Sequence, residues 1–344
     1  MPAHVRLNMD SLLTMQGLEN TPWREISPFR QIDSSLRQVS GLIHKVLMGH
    51  GPEPQLGCLF DHLEVCPGQM LRPGMVLLAG ECFGSLRDEH VQVAALMEMI
   101  HRATLLHDGV MEDGRKRRGV PTASCLWGNE SAVLLGDFVL SQVFRMAADL
   151  DSTAAKILAQ TAVRVCEGEL RQAIQERNWK LDEAQYIEII TEKSASLFSG
   201  CCRLGAVLSH AGEDQIESLA RFGLLAGVAF EITDDLLDIA GDENRMGKTP
   251  QSDFAKDKPT LAVIHLLRTV DAPHRADVCA IVESSGGPRR ALVDMLDRYG
   301  SLQYARAQAA DYATKAITAL ESLPSGKGRD ALIETAHFMA NRMA

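Results

Sequence analysis

The chain is poor in aromatic residues, at 5%, and lacks a long unbroken apolar run. The longest stretches, such as Phe222 to Ile232, fall well short of the ~20 residues that a membrane span needs. An excess of positive charge is also missing, the formal net charge being -10 over 344 residues. A broad nucleic-acid surface is thereby excluded, because binding a phosphate backbone calls for a dominant positive face. Arg115-Lys116-Arg117-Arg118 is the local exception. Eight cysteines are scattered without a CxxC pair, in a chain too long to need disulfide staples, so reduced thiols are expected. Met1 to Asp10 carries charge and no apolar signal core, and a cytoplasmic protein is expected. No period-2 alternation, internal repeat or low-complexity tract is present.

What is present is apolar residues at helical spacing, broken by short Gly, Pro and Asp punctuation. The expected fold is all-α, with helices over Asp33–His50, Pro73–Phe83, Asp88–Asp108, Asn129–Leu150, Thr153–Glu176, Leu181–Ala211 and Glu213–Ile239, then shorter ones to the end. Residues 1–30 show no clear period and read as an N-terminal arm. A single domain is expected over 31–344.

Two acidic helix ends stand out. In the first, Asp108 and Glu112 are four apart and share one helical face; in the second, Asp234 and Asp238 repeat that spacing around Asp235. A solvated helix end explains either cluster taken alone. Acid at a C-terminal end opposes the helix dipole, however, and carboxylates beside an apolar segment are costly unless paired or bound to metal. Oxygen ligands offered one or two at a time, with phosphates completing the shell, suit Mg²⁺.

The flanks of these clusters carry further elements in a fixed order: Arg117-Arg118-Gly119-Val120-Pro121-Thr122, Gly136-Asp137-Phe138, Glu167-Gly168-Glu169 with Gln172, and Lys193-Ser194. After the second cluster come Gly247-Lys248, Ser252-Asp253 and Asp257-Lys258-Pro259-Thr260. From about residue 35 to 340 the chain resembles the trans-type isoprenyl diphosphate synthases, the polyprenyl synthetases, including geranylgeranyl and longer-chain enzymes. The resemblance implies a helical bundle around a central cavity, with the acidic clusters facing one another across its mouth. It also implies a homodimer, or a hetero-oligomer.

The same resemblance implies Mg²⁺ held by Asp108, Glu112, Asp234, Asp235 and Asp238. An allylic diphosphate would be gripped by Arg117, Lys193 and Lys248, with Ser194 beside them, and isopentenyl diphosphate by Gln69, Arg72, His101 and Arg118. Glu231 would lie beside the reacting carbon, and Asp253 and Lys258 on a substrate loop. Set against these roles, Arg117 and Arg118 fit a solvated loop, His101 a buried structural histidine, and Asp253 with Lys258 a surface ion pair. Four positions depart from the family pattern: Gly109 and Glu112 where the first motif has Asp, Gln69 where a lysine is usual, and Glu231 in place of Gln.

Chain length is expected to follow the face of the first acidic helix. Ala103 and Thr104, one turn before Asp108, are small where short-chain enzymes place aromatic rings, and Ile100 lies below them. Products of C20 or longer are expected. Alternatives are a catalytically weak regulatory subunit of a hetero-oligomeric synthase, or a diverged lyase or cyclase using the same metal site.

Overall fold

The computed structural model describes residues 22–49, 54–65, 68–111, 114, 116–117, 120–240, 258–283 and 289–342. The described residues are almost wholly helical. After two 3₁₀ turns over Pro22–Ile32, the first half runs α1 Asp33–Met48, α2 Pro54–Val65, α3 Leu71–Glu81, α4 Asp88–Met111, α5 Ala123–Trp127, α6 Asn129–Ala147 and α7 Ser152–Ile174. The second half runs α8 Glu183–Ile190, α9 Ser196–Leu208, α10 Glu213–Ala240, α11 Leu261–Thr269, α12 Ala272–Glu283, α13 Arg289–Arg298, α14 Ser301–Ala319 and α15 Lys327–Ala340.

The expected helices are present, with instructive differences. Within the arm expected over 1–30, Trp23, Ile26 and Phe29 are buried against the larger core. Helix α3 starts at Leu71, two residues before Pro73, because Met70 adopts a left-handed conformation (φ 55°) and its carbonyl accepts from Gly74. Pro73 then falls in the first turn, where a backbone N–H has no helical partner. The short helix α2 was missing from the sequence reading, as was an antiparallel pair of two-residue strands, Lys116–Arg117 with Val120–Pro121. The helix expected over Leu181–Ala211 is interrupted by a π-helical turn, Thr191–Ala195.

Two apolar cores divide the fold. The larger is built from α1, α3, α4, α6, α7 and α9; the smaller gathers α8, the end of α10, α11, α13 and α14. Helix α10 joins them. At 28 residues it is about 42 Å long, and Phe230 belongs to the first core while Ile232 and Leu236 belong to the second. Its acidic end, Asp234 to Asp238, therefore lies at the seam.

Candidate active site

Lys193 is the centre of the described site. It lies on the π turn, a local geometry that recurs at functional positions, and the turn is wedged between two glycines. On one side a Cβ at Gly168 would stand 2.1 Å from the backbone nitrogen of Lys193; on the other, a Cβ at Gly227 would stand 2.7 Å from the Cα of Ala195. Only hydrogen at both positions lets α7 and α10 close on the turn.

The lysine head is fastened as well. Its Nζ donates to Gln172 Oε1 at 2.6 Å and pairs with Glu169 Oε2 at 3.0 Å. Burial and Lys258 pull its pKa down, but Asp108, Glu169 and Glu231 outweigh them and raise it, so the ammonium stays charged. Carboxylates from α4, α7 and α10 thus act on one cation. For Glu169, burial and Asp108 push the pKa up to about 7 against the pull of Lys193 and Lys258.

Asp108 is buried near the end of α4. Ser124 Oγ donates to the Gly109 carbonyl at 3.0 Å, and Thr122, whose side chain caps α5, donates to the Gly114 carbonyl at 2.5 Å. The hairpin strands and α5 are thus folded back on the helix end that carries the first motif. In the second motif Asp238 is buried, and Tyr186 on α8 donates its hydroxyl to Asp235 Oδ2 at 2.5 Å. Tyr186 is held in turn, because α8 begins at an Asp182 to Gln185 capping box and Glu183 accepts from the Tyr304 hydroxyl at 2.7 Å. The guanidinium of Arg342 lies 3.6 Å from Asp234 Oδ1.

Of the remaining expected residues, Arg72 places its guanidinium 4.7 Å over the Phe198 ring, and Ser194 is buried beside Lys193. His101 accepts at its carbonyl from Thr104 Oγ1 at 2.8 Å. Ala103 and Ile100 are buried on the same helix. Gln69 is half-buried ahead of α3, and Lys258 acts on both Glu169 and Lys193. Arg117 is described by its backbone, in the first short strand. Glu112, Arg118, Lys248 and Asp253 lie outside the described residues. Sequence reasoning assigned no role to Glu169, Gln172, Tyr186 or Arg342. The i, i+3 pair Glu169 and Gln172 was legible as one helix face; the other two carried no local signal.

A model of the polyprenyl synthetase family matches residues 53–295. The chain belongs to the polyprenyl synthetase family. An octaprenyl diphosphate synthase of Escherichia coli is 35% identical over 80% of this chain and 86% of that protein. A short chain isoprenyl diphosphate synthase of Methanothermobacter thermautotrophicus is 32% identical, covering 82% and 89%. A crystal structure of a polyprenyl synthase from Caulobacter crescentus, complexed with calcium and isoprenyl diphosphate, has a TM-score of 0.86 at 32% identity, covering 92% of this chain and 97% of that one. This polyprenyl synthetase therefore shares most of its helical framework with a solved protein that holds calcium and isoprenyl diphosphate.

The donor set fits a hard divalent cation. All candidate ligands are carboxylates, the oxygen donors that such a cation takes one or two at a time alongside a phosphate.

Metal-free protein carries a pH signature of this site. Glu169 keeps its proton to about pH 7 when folded and loses it near the ordinary carboxyl value when unfolded, so it lowers stability progressively as pH rises between those points. Glu169→Gln should therefore gain on the wild type in melting temperature as pH rises from about 5 to 7. A difference between the two proteins that is flat across this range would show that Glu169 ionises normally.

Proposed function

We propose that this chain is a Mg²⁺-dependent trans-prenyltransferase that condenses isopentenyl diphosphate with an allylic diphosphate, giving trans-prenyl diphosphates of C20 or longer. The observation that carries this reading is Lys193, a fixed, charged lysine acted on by Asp108 of one acidic helix and by Glu231 beside the other. A buried ammonium between two acidic helix ends is suited to hold a diphosphate at the point where both can share its metals.

In the reaction the allylic C–O bond breaks and diphosphate leaves with the electron pair. The isopentenyl double bond then attacks the allylic carbon, and the proton released is taken by the departing diphosphate. Bound Mg²⁺ would neutralise the leaving group, held by Asp108 with Glu112 on one side and by Asp234, with Asp235 and Asp238, on the other. Lys193, Arg117 and Lys248 grip the allylic diphosphate, with Ser194 next to Lys193 on the π turn. Gln69, Arg72, His101 and Arg118 bind the second diphosphate, with Asp253 and Lys258 as further substrate-binding residues. Residues 31–344 form the synthase unit, with the buried turns from Trp23 as its first layer.

A homodimer is the proposed assembly. Val163, Leu170 and Ile174 are exposed on α7 at spacings of seven and four, which forms one stripe, and Leu134 and Phe144 are exposed on α6, the preceding helix in the chain. A second copy would cover these side chains. A cytoplasmic location accords with the finding that no helix among the described residues is long and apolar enough to cross a membrane.

The test is incubation of purified protein with Mg²⁺, isopentenyl diphosphate and allylic diphosphates of increasing length, with product chains sized. Ala103, fully buried on α4, is proposed as the open floor of the elongation cavity with Thr104 and Ile100 around it. Ala103→Phe should shorten products toward C15 in protein whose thermal melt shows it folded. Products that already stop at C10 or C15, or an unaltered distribution in the variant, would overturn the cavity assignment. Product appearing only when a second synthase chain is added would favour a regulatory subunit.

A further inference from the structure

The end of α15 is brought to the second acidic motif by an identifiable set of contacts. Thr233, buried on α10, donates to the Ala229 carbonyl at 2.9 Å and reaches the Ala340 carbonyl at 3.4 Å. Two residues further on, Arg342 lies across α10. Phe230 and Asp234 are four apart and share one helical face, so a single guanidinium spans both. It sits 4.6 Å over the Phe230 ring and 3.6 Å from Asp234 Oδ1. Its Nη1 is buried and has no hydrogen-bond acceptor among the described residues. Burial works against the charge on Arg342, while Asp234 and Glu231 support it. Glu231 is the departure noted above in which a carboxylate stands in place of the family's amide.

We propose that Arg342 is a positioning residue that balances the charge of the second acidic motif, offsetting the carboxylate that Glu231 adds and thereby setting how tightly Asp234 takes up a divalent cation. A guanidinium stacked on a ring and lying slightly beyond hydrogen-bond length from a carboxylate is held by packing, so it moderates that carboxylate without locking it. With Glu231 present and the guanidinium removed, the cluster would carry more negative charge and would take up a divalent cation more tightly. The inference rests on the reading that Asp234 is a metal ligand.

The experiment titrates Mg²⁺ in the presence of inorganic diphosphate and follows the melting temperature of the full-length protein, with no turnover required. Arg342→Gln keeps a planar group to lie on Phe230 and removes the charge; the Mg²⁺ concentration giving half of the stabilisation should fall about three- to ten-fold. Arg342→Lys should restore the wild-type midpoint, and Glu231→Gln combined with Arg342→Gln should return it toward wild type. An unchanged midpoint in Arg342→Gln would overturn the inference while leaving Asp234 as a ligand. So would an unchanged midpoint accompanied by a raised KM for isopentenyl diphosphate, which would make Arg342 a direct diphosphate grip. If Mg²⁺ with diphosphate fails to stabilise the wild type, both this inference and the metal reading of Asp234 fall.

Discussion

Asp234→Asn is expected to lower turnover by roughly 10²- to 10³-fold, the scale seen when one preorganised electrostatic contact is removed from a reacting centre. The substitution keeps the size of the side chain and removes only its charge. Asp234 is partly open to solvent, and its described ion pair is the 3.6 Å contact with Arg342. Glu231 still supports the Arg342 charge when this pair is lost, so the fold should survive. A melt near that of the wild type together with collapsed turnover separates a metal ligand from a structural carboxylate. Wild-type turnover at an unchanged Mg²⁺ requirement would remove Asp234 from the site.

The second large effect is expected from a methyl group. Gly168→Ala would place Cβ 2.1 Å from the nitrogen and 2.5 Å from the Cα of Lys193, both backbone atoms that cannot rotate away. The π turn must shift, taking Lys193 from Gln172 and Glu169, and kcat should fall by about 10²-fold or more, since a displacement near 1 Å at a reacting site has that consequence. Gly109→Ala is the matched control on the other side of the site. Its nearest neighbours would be 3.8 Å away, an ordinary contact, and it should stabilise α4 by up to about 1 kcal/mol in denaturant melts. If Gly168→Ala retains full activity, the wedge between α7 and the π turn does not position the lysine.

Much of this protein was readable before any coordinates. Apolar positions at helical spacing marked most of the long helices, since burying one face of a helix is a local periodic requirement. The acidic pairs were readable for the same reason, four residues being one turn whatever the helix packs against. Short elements escaped. Helix α2 over Pro54–Val65 was not marked by its period, although it is no shorter than α3, and the two-residue strands have no period at all. The break at Thr191–Ala195 was hidden because a π turn leaves the flanking residues helical, while its cause, close approach to Gly168 and Gly227, lies in other helices.

The linear order of residues by itself determined the helical class and the two carboxylate faces, because each depends on spacing within one segment. The tertiary structure alone decided which groups share an electric field. Lys193 gains its charge-stabilising neighbours from three helices, and Glu169 is pushed up to about 7 by burial and by Asp108, sixty-one positions away. Tyr186 reaches Asp235 across forty-nine positions, and Arg342 comes to Asp234 only because α15 docks along α10. Coulomb interaction and desolvation depend on distance through space and on the water excluded there, and neither is encoded in separation along the chain.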